Sequence, residues 1–324
     1  MEKREIIERP IEKELSEFKS LFGASLQSDT PLLDEVLTYI KKRSGKMMRP
    51  ILVLLIAKLY GQVTDATQHV ALSLELLHTA SLVHDDVVDE SDLRRGQSSV
   101  NALYNNKVSV LVGDYMLATS LKHAARTGDV ALVDLVARLG QYLSEGEIIQ
   151  LVNIRNQDFS EDVYFDVIRK KTAALFTASA EAGALSAGAG SEEVEKAALF
   201  GEMIGIAFQI KDDIFDYFSG EGIGKPTGND MLEGKLTLPA LYVLNHKNDP
   251  EACSLALRIR SLEATPEEIA SFVEYVKREG GIEYAERVMH DYRNKALSLL
   301  PATADALVSE ALTAYIDYVI ERNK

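Results

Sequence analysis

The sequence predicts an all-α fold, on three observations. Apolar residues recur at the three-to-four-residue spacing of a helix rather than the two-residue alternation of a strand. Helix starts and stops are marked at several places along the chain. No composition break, low-complexity tract or fixed-period repeat divides the 324 residues, so the simplest organisation is a single helical domain over residues 1–324.

The elements follow in chain order. Thr30-Pro31 reads as an N-cap with proline at the first helical position, and Pro50 is placed to open a second helix. Apolar periodicity then predicts helices over about 66–90, 107–127, 130–153, 160–187, 192–217, 282–299 and 303–322. Thr265-Pro266-Glu267-Glu268 combines an N-terminal proline with a capping box, and Gly280-Gly281 closes the helix that it opens. Two stretches depart from the helical pattern: 90–99, with Arg94-Arg95-Gly96, and 218–234, with five glycines and Pro226. Each follows an aspartate-rich helix end, and loops fixed at the mouths of rigid helices tend to carry binding chemistry.

Composition excludes several classes of function. A net charge of −15 leaves no basic face in bulk for a nucleic-acid backbone, so anionic partners would need local basic clusters. Cys253 is the only cysteine, which rules out an intrachain disulfide or a thiolate zinc cluster and fits a reducing, cytoplasmic setting. The N-terminus lacks a signal-peptide apolar core, and the longest aliphatic run, Ile51 to Ala57, is too short to span a bilayer.

Two carboxylate clusters carry the chemistry. On the first helix of that series His78, Ser81, Asp85 and Asp89 fall on one face, continuing a stripe that starts at Leu74 and Leu77. The helix thus begins as core and ends at a cavity. Carboxylates four residues apart repel, and a bound cation relieves that cost. The second cluster repeats the geometry with Gln209, Asp212, Asp213 and Asp216 after the apolar run Ile204 to Phe208. Hard oxygen ligands on rigid helices suit magnesium, which takes its remaining ligands from water and phosphate. Either DDxxD alone reads equally as a solvated acidic helix end; two copies, each at the end of an apolar helix and before a basic or glycine-rich loop, favour the metal.

Diphosphates bound by an acidic protein require cations placed near the metals. Gly45-Lys46-Met47-Met48-Arg49, Arg94-Arg95, Lys170-Lys171-Thr172 and Gly224-Lys225-Pro226 supply them. Taken singly each is a surface cation, and only their joint placement is informative. Gly220 to Lys225 is not a nucleotide loop, because it lacks the Walker spacing and no strand precedes it.

These residues resemble the trans-isoprenyl diphosphate synthase (polyprenyl synthetase) family over nearly the whole chain from Gly45 onward. Leu77-His78-Thr79-Ala80-Ser81-Leu82-Val83-His84 leading into Asp85-Asp86-Val87-Val88-Asp89 and Arg94-Arg95-Gly96 is similar to the family's first aspartate-rich region. Phe208 to Asp213, Gly224-Lys225-Pro226 and Glu233 to Pro239 are similar to its second. The resemblance implies the isoprenoid synthase fold, a helical bundle around a deep cavity, usually in a homodimer. It implies three magnesium ions bridging an allylic diphosphate to the two motifs, with Asp85, Asp89 and Asp212 as principal ligands and Asp86, Asp213 and Asp216 in support. Arg94, Lys171 and Lys225 would hold the allylic diphosphate, and Gly45, Lys46, Arg49, His78 and Arg95 isopentenyl diphosphate, with Lys235 a further substrate-binding residue. Thr172 and Gln209 would face the developing cation. Glu147 and Gln150 lie on another helix placed to line the cavity.

The resemblance also bears on the product. Ala80 and Ser81 stand fifth and fourth before Asp85, where aromatic residues in the family close the pocket and small ones leave it open. The motif also lacks the two-residue insertion of bacterial short-chain enzymes. A long-chain trans-polyprenyl diphosphate, hexaprenyl to decaprenyl, is therefore expected, as for a quinone side chain, with membrane contact on product release. Leu77, Leu74, Ser73 or side chains near Leu135 to Leu139 could still form a floor. Farnesyl or geranylgeranyl products and a non-catalytic prenyltransferase subunit remain the alternatives, although no aspartate or basic residue of the pattern is lost. A terpene cyclase would carry an Asn/Asp, Ser/Thr, Glu pattern in place of the second DDxxD. A metal-dependent phosphohydrolase built on His84-Asp85 with His69 or His78 would not need the second cluster.

Overall fold

The computed structural model describes residues 2–43, 45–94, 96–153, 159–218 and 228–322, with side chains for all of these except 150–153. The chain opens with α1 (Lys3–Glu8), a 3-10 turn (Arg9–Ile11), α2 (Glu12–Ser25), α3 (Pro31–Lys42), α4 (Met48–Tyr60) and α5 (Asp65–Val88). A two-residue hairpin of β1 (Leu93–Arg94) and β2 (Gln97–Ser98) leads to α6 (Val100–Tyr104), α7 (Asn106–Arg126) and α8 (Val130–Asn153). Next come α9 (Glu161–Ile168), a π turn (Arg169–Ala173), α10 (Ala174–Ser186), α11 (Ser191–Asp216) and α12 (Asn229–Leu232). The last elements are α13 (Leu238–Lys247), α14 (Pro250–Arg260), α15 (Pro266–Arg278), α16 (Gly281–Ser298) and α17 (Ala306–Glu321).

The all-α expectation holds, and each of the seven helices read from periodicity is present within a few residues of its expected bounds. The differences have physical causes. α1 and α2, which the pattern reading does not assign, bury Ile7, Ile11, Leu15, Phe18 and Phe22, a stripe at helical spacing that crosses Pro10 through the 3-10 turn. α13 and α14 fill another unassigned segment, where Pro239 and Pro250 each sit in a first turn. Pro50 is the third residue of α4 rather than its opening, still within the turn whose N–H groups have no helical partner. The hairpin pairs Leu93 with Ser98 and Arg94 with Gln97, a minimal strand pair where the sequence shows no alternation. The expected helix 160–187 changes register at the π turn, which carries Lys170, Lys171 and Thr172.

The chain divides into two compact units. One comprises Met1–Gln141, Leu175–Gly201 and Leu299–Tyr318. Its core is built on α4, whose residues Ile51 to Ala57 are all buried, and on α5, buried on all sides from Val70 to Leu77. Each such Leu, Ile or Val contributes about 1.5–3 kcal/mol by leaving water. α5 and α7 meet at two serines, where Ser73 and Ser120 each donate a hydroxyl to the other's carbonyl at 2.9 and 2.8 Å. Tyr315 on α17 donates to Met48 O at 2.9 Å, tying the helix to the start of α4.

The second unit comprises Tyr142–Ala174, Glu202–Ser298 and Val319–Lys324. Here α13 packs against α15 and α16. Tyr242 stacks on Tyr284 with centroids 4.1 Å apart, and Tyr284 donates to Glu161 at 2.7 Å. The π turn is held between two glycines: a methyl group at Gly205 would lie 2.5 Å from Ala173 Cα, and one at Gly146 would lie 3.0 Å from Lys171 N. Only hydrogen fits at Gly205, and at Gly146 a methyl would press on the turn's backbone, so α11 and α8 close on the turn that bears the candidate cations.

Candidate active site

The first aspartate cluster ends α5. Thr64 caps the helix N-terminus, and Glu90 stops it with a left-handed φ of 50°. Asp85 is half-buried and Asp89 exposed, one turn apart on the face foreseen from spacing. Asp86 points the other way and is only 3% exposed. Its Oδ1 accepts from Arg94 Nε at 2.6 Å, so the structure brings together two candidate ligand-binding residues as an ion pair. Burial pushes the Asp86 carboxyl above the ordinary range, against the opposing pull of Arg94.

The hairpin behind that pair is braced by a residue the sequence did not single out. Arg43 donates to Ser98 O and Arg94 O, both at 2.6 Å, and Tyr39 donates to Ser98 O at 2.6 Å. Arg95 lies outside the described residues. Further toward the helix N-terminus His78 is half-buried and Ala80 fully buried. Ser81 is half-buried and donates its hydroxyl to His78 O at 2.9 Å, so it presents little bulk and no unsatisfied proton. Leu77 meets α8 at Gly140, where an added methyl would lie 3.9 Å from Leu77 Cδ1. Ser73, one floor candidate, is committed to Ser120; Leu74, Leu135 and Leu139 are buried core.

The second cluster ends α11 and forms a hydrogen-bonded chain. Thr172 Oγ1 donates to Gln209 Oε1 at 2.7 Å, Gln209 Nε2 donates to Asp213 Oδ1 at 2.7 Å, and Tyr164 OH donates to Asp213 Oδ2 at 2.5 Å. Asp213 is 2% exposed; burial, then the neighbouring Asp230, pushes its carboxyl well above the usual range. Asp216 accepts from the backbone N–H groups of Asn229 and Asp230 at 3.0 and 3.1 Å, which caps the short α12. Asp212 is the more open carboxylate, its side chain 42% exposed and its Oδ1 2.6 Å from Arg322.

A cavity of about 260 Å³ lies within this unit. Lys171, Thr172, Gln209, Asp213 and Lys235, five of the residues read from sequence, line it together with Tyr164, while Val163, Val167, Leu236 and Leu241 supply apolar wall. Lys171 pairs with Glu147 at 2.5 Å, and Lys235 with Glu233 at 2.6 Å. Lys225 and the Gln150 side chain lie outside the described residues. In the first unit Gly45 and Lys46 are exposed just before α4, Lys46 lies 5.3 Å from the Tyr318 ring centroid, and Arg49 lies 5.2 Å from that of Phe176.

The donor set suits a hard divalent cation better than a soft one. Asp85, Asp89 and Asp212 offer partly exposed carboxylate oxygens, and Cys253 is remote in sequence from all of them. Among the described residues no three carboxylate, imidazole or thiol groups converge as a ready cage. Magnesium binds through one or two carboxylates plus waters and phosphates, and so does not require such a cage.

The all-α scaffold, in which the long helices α5 and α11 each end in an aspartate cluster, is the isoprenoid synthase fold. Residues 30–276 match the family model described as polyprenyl synthetase, and the chain belongs to that family. It is 33% identical over 300 residues to the octaprenyl diphosphate synthase of Escherichia coli, covering 92% of this chain and 93% of the relative. A crystal structure of geranylgeranyl pyrophosphate synthase from Bacteroides thetaiotaomicron is 57% identical with a TM-score of 0.87, over 99% of this chain and 100% of that one. A polyprenyl synthase from Caulobacter crescentus, complexed with calcium and isoprenyl diphosphate, is 32% identical with a TM-score of 0.91, over 99% and 98% of the two chains.

Proposed function

We propose that the chain is a magnesium-dependent prenyltransferase that condenses isopentenyl diphosphate head-to-tail with an allylic diphosphate, giving a trans-polyprenyl diphosphate of long chain, hexaprenyl to decaprenyl. The observation that carries the reaction is the chain from Thr172 through Gln209 and Asp213 to Tyr164 on the wall of one cavity with Lys171. With its proton given to Gln209, Thr172 Oγ1 turns lone pairs outward, which favours a developing allylic cation.

Asp85, Asp89 and Asp212 would hold magnesium, in our reading three ions, with Asp86, Asp213 and Asp216 in support, and the ions would supply positive charge to a pyrophosphate leaving group. The buried pairing of Asp86 with Arg94 and the capping role of Asp216 favour positioning over direct ligation for those two aspartates. Lys171, Arg94 and Lys225 hold the allylic diphosphate while its C–O bond breaks, with Lys235 a further substrate-binding residue. Gly45, Lys46, Arg49, His78 and Arg95 hold isopentenyl diphosphate, whose double bond attacks the allylic carbon. A proton then leaves to pyrophosphate. Apolar walls exclude the water that would quench the cation.

The small pair Ala80 and Ser81 and the octaprenyl synthase relative support the long product. The more similar geranylgeranyl pyrophosphate synthase structure favours a second reading, a shorter geranylgeranyl product. The family match runs through segments of both compact units, which supports one functional domain. A homodimer is supported by exposed Leu111 (67%) and Tyr115, one turn apart on α7. Among the described residues no helix is long and apolar enough to cross a membrane. A cytoplasmic setting, with membrane contact at product release, belongs to the same proposal. Incubation with labelled isopentenyl diphosphate, magnesium and primers of increasing length tests it: chromatography should reveal products of six to ten isoprene units, and no elongation of any primer refutes the enzyme reading.

A further inference from the structure

Arg322 docks on the second aspartate cluster. Arg322, just beyond α17, stacks its guanidinium 3.8 Å from the Phe208 ring centroid and 5.9 Å from that of Phe215. It donates to Phe208 O at 3.2 Å and contacts Asp212 Oδ1 at 2.6 Å, with a side chain only 16% exposed. Phe208, Asp212 and Phe215 share one face of α11 at helical spacing, so the face offers ring, carboxylate and ring to a planar cation. Arginine joins a planar, delocalised cation to several in-plane N–H donors, and it keeps its charge at every physiological pH.

We propose that Arg322 couples magnesium binding at the second aspartate cluster to the presence of diphosphate. The inference rests on the reading above, in which Asp212 is a metal ligand. Without diphosphate, a divalent cation must approach an oxygen already neutralised by a guanidinium at contact distance, and the two cations repel. A diphosphate reverses the sign of that effect, because the guanidinium that opposes metal alone attracts the anion. Arg322 therefore weakens metal binding by itself and strengthens joint binding of metal and diphosphate. By reciprocity, each then raises the other's affinity.

The test needs no turnover. Magnesium is titrated into the full chain with and without inorganic pyrophosphate, following heat and the thermal unfolding midpoint, for wild type, Arg322→Gln and Arg322→Lys, each checked by circular dichroism. Removing the fixed charge in Arg322→Gln should raise the affinity for magnesium alone on the order of tenfold and shrink the gain that pyrophosphate brings. Arg322→Lys keeps the charge and should keep most of the coupling; it carries the test on its own if the glutamine variant does not fold, since coupling lost with the charge retained overturns the proposal. Unchanged or weaker binding of magnesium alone by Arg322→Gln overturns it too, leaving Arg322 as an orienting tether. If the wild type binds neither magnesium nor pyrophosphate, the prenyltransferase reading fails first and this inference with it.

Discussion

Tyr164 donates its phenolic hydrogen to Oδ2 of Asp213 at 2.5 Å, and both side chains are buried. Asp213 also accepts from Gln209, and Gln209 from Thr172, so one buried phenol orients a chain of polar groups that ends in the cavity. Tyr164→Phe removes the donor and leaves a buried carboxyl oxygen without it, which should cost about 1–3 kcal/mol. Urea denaturation measures the loss. Because the chain reaches Thr172, kcat should fall more than KM for isopentenyl diphosphate rises. An unchanged unfolding midpoint would count against this account of Asp213.

Arg43→Ala tests the brace behind the first cluster. Arg43 donates to the carbonyls of Arg94 and Ser98 on the hairpin, and Arg94 in turn pairs with Asp86. The helices do not depend on these bonds, so the circular dichroism spectrum should be retained while KM for the allylic diphosphate rises several-fold. Arg43→Lys should recover little, since a single ammonium cannot reproduce a planar fork that reaches two carbonyls. Steady-state kinetics on both variants decide the matter, and wild-type constants for the alanine variant would exclude a positioning role.

Local pattern made the long helices and both aspartate clusters legible, because helical spacing and the DDxxD repeats are written within a few residues. What escaped depends on partners far along the chain. Arg43 meets Ser98 across 55 positions, and Arg322 meets Phe208 across 114. The π turn leaves no mark in composition; it becomes intelligible only when Gly146 and Gly205 are seen against its backbone. Asp86 and Asp216 look like their neighbours in sequence, yet helix phase turns one onto Arg94 and the other onto the N–H groups of α12. The N-terminal stripe from Ile7 to Phe22 was readable in principle, but Pro10 and the 3-10 turn break its continuity.

His123 should make stability fall in mild acid. It is buried on α7, its Nδ1 3.0 Å from Nδ1 of His69 on α5, and burial, followed by the His69, Arg126 and Lys122 charges, lowers its pKa from 6.5 to about 4. His69 in turn faces Asp65 at 3.7 Å. Between these values the unfolded chain binds a proton that the folded chain refuses. The stabilisation is therefore complete above about pH 6.5 and is lost as pH drops toward about 4. Denaturant melts of wild type and His123→Gln at pH 7, 6 and 5 should show a shallower decline for the variant. Parallel declines would assign the acid sensitivity to other groups.

Product length should respond to Ser81 more cleanly than to Ala80. Both residues stand a turn or so before Asp85, each turn adding about 5.4 Å along α5. Ala80 is wholly buried, so a phenylalanine there must displace packed neighbours at a cost of about 1–3 kcal/mol, and a shortened product would be confounded by loss of fold. Ser81 is half-buried, and its hydroxyl donates to the carbonyl of its own helix three residues back. Ser81→Phe therefore gives up a hydrogen bond within α5 rather than one between helices. Chromatography of labelled products should show the distribution move toward fewer isoprene units, with the thermal midpoint nearly unchanged. Leu77→Ala acts in the opposite sense, enlarging the space that faces Gly140 on α8, and should lengthen the product if Leu77 is the floor. A wild-type distribution that stops at geranylgeranyl and lengthens in Leu77→Ala would locate the barrier below Ser81. An unchanged distribution in Ser81→Phe would show that this face of α5 does not line the growing chain at all.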